Sequence, residues 1–284
     1  MKGGGDVKVY ISADMEGATG IAVKAQVVEG HPGYERARRL LTGDVNAAVA
    51  GAFDAGATEV LVNDGHFLMT NILIDELDQR ARLITGRNKA LAQMEGLDGS
   101  FDAVFYVAYH ASVGTQDAVI NHTYLGKAVR EVRRNGRPAG EAEINSGIAG
   151  YFGVPVALVT GDDRVVAETT AALGPIEGAV VKRALDRFAA DSLSPRSSAA
   201  LIREASARAL RRLAEFPIPR VPSPTTFEID FMSTAEAAIT TLFPCVERRG
   251  PRTVAVTDAD YLRAFKALFG CLLFGNSVAD EIFG

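Results

Sequence analysis

Val7-Lys8-Val9-Tyr10-Ile11-Ser12-Ala13 is a short run rich in β-branched and aromatic residues, and it stops at Asp14-Met15-Glu16-Gly17. The same device recurs downstream. Glu59-Val60-Leu61-Val62 ends at Asn63-Asp64-Gly65-His66, and Ala103-Val104-Phe105-Tyr106-Val107-Ala108 ends at Tyr109-His110. Val154-Pro155-Val156-Ala157-Leu158-Val159 then ends at Gly161-Asp162-Asp163. Continuous apolar runs of this length read as strands covered on both faces, the environment of a mostly parallel sheet. The segments between them supply crossover helices over 44–55, 142–152 and 164–173, with Gly56 and Gly153 placed as stops. The alternation predicts an α/β fold with a mostly parallel or mixed central sheet flanked by helices.

After Asp191 the rhythm changes. Ser194-Pro195 reads as an N-cap followed by proline at the first helical position, opening a helix that runs to about Phe216. Pro217, Pro219, Pro222 and Pro224 mark an irregular connector. Strands are expected over 226–231 and 253–256, with helices over 235–242 and 258–274. The expected division is a metal-binding α/β catalytic domain over 1–192 and a smaller α+β C-terminal domain over 193–284.

The composition is that of an ordinary folded protein: 284 residues, 48% hydrophobic and 23% charged. A net charge of −5 argues against a nucleic-acid partner, which calls for a basic face. The basic runs 130–137 and 208–212 read as a solvated loop and a solvated helix face. The N-terminus carries no apolar segment of the secretory kind, and no apolar stretch is long enough to span a membrane. Cys245 and Cys271 are too few for a disulfide framework or a thiolate cluster, and both read as core residues. The expected location is the cytoplasm, with no membrane partner.

The chain holds four histidines, His31, His66, His110 and His122. His66 and His110 end expected strands. In open α/β sheets ligands gather outside the carboxyl ends of the strands, so Asp14, Glu16, His66 and His110 should meet at one edge. Asp14 and Glu16 are two apart, and an extended backbone would point both to one side. Glu141 follows a glycine at the start of an expected helix, where a ligand is accessible. Imidazole with carboxylate suits zinc, manganese or iron, and two ions close together need a bridging carboxylate. A single strand-end acid is more often a turn former or helix cap, and a lone histidine more often a hydrogen-bonded structural residue. The metal reading gains from three successive strands delivering such groups to one edge.

Neighbouring residues carry two readings each. Asn63 and Asp64 either orient the His66 ring, since a ligating imidazole donates its other N–H, or form the turn after the strand. Asn145, four residues after Glu141, either holds a substrate amide or serves the local backbone. Asp162 and Asp163 bind a substrate amino group or, more commonly, cap the next helix. Glu35 and Arg36 read as solvated helix charges and His31 as a loop residue.

The run Tyr10-Ile11-Ser12-Ala13-Asp14-Met15-Glu16-Gly17 resembles the opening of the DppA-type D-aminopeptidases, a zinc metallopeptidase family. The resemblance continues through Tyr34-Glu35-Arg36, Glu59 to His66, Met94-Glu95-Gly96-Leu97-Asp98, Tyr109-His110-Ala111, Asn121-His122 and Arg137-Pro138-Ala139-Gly140-Glu141. Gly161-Asp162-Asp163-Arg164 and Leu193-Ser194-Pro195 extend it over about the first 200 residues, after which it thins. It implies two divalent ions per subunit, zinc in that family. Their ligands match Asp14, Glu16, His66, His110 and Glu141, with Asp14 bridging, and the catalytic residue matches His122. It also implies self-association into a large ring, typically a decamer, acting on short peptides. Asn121 stands where the type enzyme has serine, which affects the substrate pocket and not the ligands.

The expected function is therefore an aminopeptidase that removes an N-terminal residue, a D-amino acid by resemblance, from a short peptide. A metal-activated water would attack, and His122 would pass protons or stabilise the oxyanion. Two alternatives use the same residues: another dinuclear hydrolase such as a phosphoesterase, and a non-catalytic ring-forming binding protein. The intact set of five candidate ligands counts against the second.

Overall fold

The computed structural model describes residues 6–279. The chain runs through β1 (Val7–Ala13), α1 (Tyr34–Asp54), β2 (Ala57–Asp64), β3 (Ala81–Ile84), β4 (Ala103–Tyr109), β5 (Val129–Arg134), β6 (Arg137–Pro138) and α2 (Glu141–Tyr151). It continues through β7 (Val156–Asp162), α3 (Asp163–Leu173), β8 (Glu177–Asp186), β9 (Ala189–Ser192) and α4 (Pro195–Arg211). It ends with β10 (Thr225–Phe231), α5 (Thr234–Thr240), β11 (Val246–Arg248), β12 (Thr253–Asp258) and α6 (Tyr261–Asn276).

A seven-stranded sheet has the order β3-β2-β1-β4-β7-β8-β9, parallel throughout except for the β8–β9 hairpin. The four apolar runs are its central strands. Each strand divides its residues between two cores, because successive side chains point to opposite faces. Val9, Ile11 and Ala13 of β1 join α1 and α4 on one face. Tyr10 joins the other, with Val104, Tyr106, Ile144 and Ile148. The second sheet, order β11-β12-β10-β5-β6, is antiparallel and adds Val132, Phe227, Ile229, Val254 and Val256 to that core. Chain order and spatial order part company here: β5 and β6 precede residue 192 yet belong to the sheet of the C-terminal strands, β5 pairing with β10, while α4, beyond 192, packs on α1.

Several readings are corrected. The basic run 130–137 is not a loop but the β5–β6 hairpin. Its turn residues Asn135 and Gly136 both have positive φ, and Asn-Gly is the strongest local hairpin signal. Arg133 is paired across the sheet with Glu228 of β10, and Arg134 with Glu143 of α2. Helix α1 begins at Tyr34, ten residues before the expected start at 44, since Tyr34, Ala37 and Leu41 already bury one helical face. Cys271 is buried but Cys245 is exposed, in the turn that follows Pro244. No helix among the described residues is long and apolar enough to cross a membrane.

The order places β1 between β2 and β4, where the strand sequence reverses direction, and such a switch point opens a crevice at the carboxyl ends. The end of β1 curls over an irregularity in β4. Ala108 has a φ of 60°, and the β4–β7 register slips between Tyr106 and Tyr109. Asp14 and Gly17 donate backbone N–H groups to the Val107 and Ala108 carbonyls, both at 2.9 Å. Gly17 is needed because a Cβ there would lie 1.9 Å from the Tyr109 carbonyl oxygen and 2.5 Å from the Ala108 carbon. Both neighbours are backbone and cannot swing away. Gly17→Ala should therefore lower stability by at least about 1–3 kcal/mol, the usual cost of overpacking. Chemical denaturation of wild type and variant measures this directly, and an unchanged midpoint would mean that the loop relaxes freely.

Candidate metal centre

Asp14 lies just past β1 and Glu16 in the turn that follows, closed by the Ala18 N–H to the Met15 carbonyl at 3.1 Å. The two carboxylates do converge, but through this turn and not through strand alternation. His66 follows β2 in a turn whose Gly65 N–H bonds the Ala13 carbonyl at 2.7 Å. His110 follows β4. Glu141 is the first residue of α2, where the helix dipole favours a carboxylate. His122 lies on the excursion between β4 and β5. All but His122 are nearly inaccessible.

Five of the six side chains form two lobes that share Asp14. In one, His66 Nδ1 is 3.2 Å from Asp14 Oδ1 and 3.0 Å from Glu16 Oε2. In the other, His110 Nε2 is 3.3 Å from Asp14 Oδ2 and 3.3 Å from Glu141 Oε1. His122 Nε2 stands at the rim, 3.8 Å from Glu16 Oε1 and 3.9 Å from Glu141 Oε1. Its ring stacks on that of His110 with centroids 4.1 Å apart and planes 12° from parallel.

The far side of each ring identifies the near side. His66 Nε2–H donates to the Val27 carbonyl at 2.7 Å, which leaves the Nδ1 lone pair facing two carboxylate oxygens. His110 Nδ1–H donates to the Ala111 carbonyl at 2.9 Å, leaving Nε2 in the same predicament. Acceptor facing acceptor in a buried site is reconciled only by a proton or a metal ion. Glu16 Oε2 and His110 Nε2 are buried with no hydrogen-bond partner, as atoms aimed at a metal would be. These donors, two imidazoles and three carboxylates without a thiolate, fit two divalent ions of the zinc or manganese kind.

Without metal, protons do the reconciling. Burial pushes the His66 imidazole down, but the Glu16 and Asp14 carboxylates outweigh it and carry it well above the ordinary value. Burial likewise lowers His110, and Glu141 with Asp14 raises it further than burial lowers it. Burial raises the Asp14 carboxyl, yet the His110 and His66 rings, when they carry those protons, hold it well below the usual range.

A layer of neutral groups supports the His110 lobe. Gln93 donates its amide to Asp14 Oδ2 at 3.3 Å and to Glu141 Oε2. Asn145 donates to Gln93 Oε1 at 2.6 Å and to the Tyr109 hydroxyl at 3.0 Å. Asn145 thus orients Gln93, a role outside both of its expected ones. The Tyr124 N–H donates to Glu141 Oε1 at 2.6 Å. Gln93 was not legible in the sequence, because it lies on a short 3-10 turn with no periodic or motif signal.

Asn63 and Asp64 act one layer away, since the partner of the His66 ring is Val27. Asn63 Oδ1 accepts from Lys89 Nζ at 2.8 Å. Asp64 accepts the N–H groups of Asn71 and Ile72 at 2.6 and 2.8 Å, and Asn71 in turn donates to the His66 carbonyl at 2.7 Å. Asp162 caps α3, accepting from Arg164 and Val165, and Asp163 accepts from the Ala184 N–H at 2.8 Å. Glu35, Arg36 and His31 are exposed.

The likeness of this chain to known proteins runs along nearly its whole length. A model of the D-aminopeptidase family matches residues 7–269. The D-aminopeptidase of Bacillus subtilis (strain 168) is 35% identical over 263 residues, spanning 92% of this chain and 95% of its own length. The solved structure of the Zn-dependent D-aminopeptidase DppA from Bacillus subtilis, described as a self-compartmentalizing protease, agrees with a TM-score of 0.93 at 34% identity. That match covers 96% of this chain and 100% of the other.

Proposed function

The chain belongs to the D-aminopeptidase family and is a metal-dependent peptidase, and from that premise we propose that it removes the N-terminal residue, a D-amino acid, from short peptides at a dinuclear centre. The observation that carries the reading is the division of the Asp14 carboxylate, one oxygen toward His66 and Glu16 and the other toward His110 and Glu141. Asp14, Glu16 and His66 would hold one ion and Asp14, His110 and Glu141 the other, zinc by likeness to the relative. Two divalent ions so held would lower the pKa of a water to about 7 and would polarise a carbonyl, which is the chemistry that peptide hydrolysis needs.

The protein groups supply position and proton transfer. His122 Nδ1–H is fixed by the Ile120 carbonyl at 2.9 Å, so the Nε2 lone pair faces the gap between Glu16 and Glu141. There it can take a proton from the nucleophile and return it to the departing amine. Stacking on His110 sets its ring plane. The exposed Ile74, Leu185, Phe188 and Leu242 provide apolar surface for self-association, which we assign to a ring of the decamer type. A cytoplasmic location agrees with two free cysteines.

The test is zinc content per chain together with turnover of D- and L-aminoacyl dipeptides and of a phosphodiester. About two ions per chain, loss of activity on chelation and a D-preference are expected. Each ion must displace protons held by His66 and His110, so affinity should rise with pH through their raised values, with proton release on binding. Full peptidase activity after exhaustive chelation, or turnover of the phosphodiester alone, would overturn the assignment.

A further inference from the structure

We propose that Lys182 is a positioning residue for one half of the metal centre: its buried ammonium holds the loop that carries Glu16 and anchors His66, and so governs metal affinity at the Asp14–Glu16–His66 lobe alone. The inference rests on the dinuclear reading above.

Lys182 lies on β8 with 1% of its surface accessible. Its Nζ donates to the carbonyls of Glu16, Ala18 and Ile21 at 2.5, 2.9 and 2.6 Å. Three acceptors match the three N–H donors of an ammonium group. Burying a charge is costly unless it is fully bonded, and an aliphatic side chain would fill this space without that cost. What the ammonium supplies is a fixed path for a loop whose residues 16–21 belong to no helix or strand. Asp44 of α1 holds the same loop as well, accepting the Thr19 N–H and hydroxyl at 2.8 and 2.9 Å.

The two lobes depend on this loop unequally. Glu16 is the first of the three residues whose carbonyls Lys182 holds, and Val27, whose carbonyl fixes the His66 ring, lies six residues beyond Ile21, the last of them. Asp14 is held separately, through its N–H on Val107. His110 is set by β4 and Glu141 by α2, Gln93 and Tyr124. Loosening the Lys182 grip therefore moves Glu16 and the His66 anchor while leaving the other lobe in place.

The experiment is a zinc titration against a chromophoric chelator on wild type, His66→Ala and Lys182→Met. Wild type should show two binding steps, and His66→Ala identifies the step that belongs to the His66 lobe. Lys182→Met should weaken that step by about 10- to 100-fold, the usual effect of losing a group that supports a ligand, and leave the other step unchanged. Excess zinc should then restore kcat. Lys182→Gln, which keeps an amide donor, should fall between the two and serves in place of Lys182→Met if circular dichroism shows the latter unfolded. Equal weakening of both steps would make Lys182 a general structural residue, and two unchanged steps would remove it from the centre. Both outcomes overturn the inference and leave the dinuclear reading intact. A wild type that takes up fewer than two ions would overturn that reading itself, and the inference with it.

Discussion

Asp14→Ala is expected to abolish both metal binding and peptidase activity, with zinc content and kcat/KM falling together. The reason is geometric. Each oxygen of this one carboxylate serves a different lobe, so its loss strips a ligand from both. Glu16→Ala or Glu141→Ala removes a ligand from one lobe only and should spare part of the metal. The charge stabilisation that a Lewis-acid metal supplies is worth several kcal/mol, and each ~1.4 kcal/mol is a factor of ten. The expected loss in kcat/KM is therefore on the order of a thousand-fold or more. Elemental analysis of the purified variant, dialysed against buffered zinc, is the deciding measurement. A variant that still held one ion at wild-type affinity would show that Asp14 belongs to a single site.

His122→Ala should do the opposite to metal content. Its Nε2 stands 3.8 and 3.9 Å from Glu16 and Glu141, farther than the closer contacts of His66 and His110, and its side chain is 18% exposed. Removing it leaves the five side chains proposed as ligands, and the hydrogen-bonded supports of both lobes, in place. Zinc content and melting temperature should stay near wild type. The cost should fall on kcat, by roughly the hundred-fold to ten-thousand-fold of a positioned acid–base group, with a smaller change in KM. Loss of one zinc would make His122 a ligand. Near-normal turnover would leave it as a packing partner of His110.

The central strands were readable because burial on both faces imposes a continuous apolar run, a signal strong enough to survive without context. The strands left unread lack it. β5 carries Arg130, Glu131, Arg133 and Arg134; Arg130 and Arg133 meet Asp230 and Glu228 far along the chain, Arg134 meets Glu143 of α2, and the local signal lies in the Asn135-Gly136 turn. β9 and β11 are short edge strands with little buried surface. For the centre, the two histidines and the acids at strand ends were visible as residue types in the right places. The resemblance added the expectation that Asp14 bridges and that His122 is catalytic, roles that the variants above test.

By itself the sequence determined that an α/β sheet would gather Asp14, Glu16, His66 and His110 at one edge. Strand polarity dictates this, since every parallel strand ends on the same side. Only the tertiary structure decided how those groups face one another. The split of Asp14 between two lobes depends on a turn pressed against the Ala108 irregularity. The free lone pairs of His66 and His110 depend on carbonyls at Val27 and Ala111. The supports, Gln93 and Lys182, come from 79 positions beyond Asp14 and 166 beyond Glu16. Side chains that meet only after the chain has folded leave no periodic trace in its sequence, because their spacing along the chain is set by topology and not by the repeat of any one helix or strand.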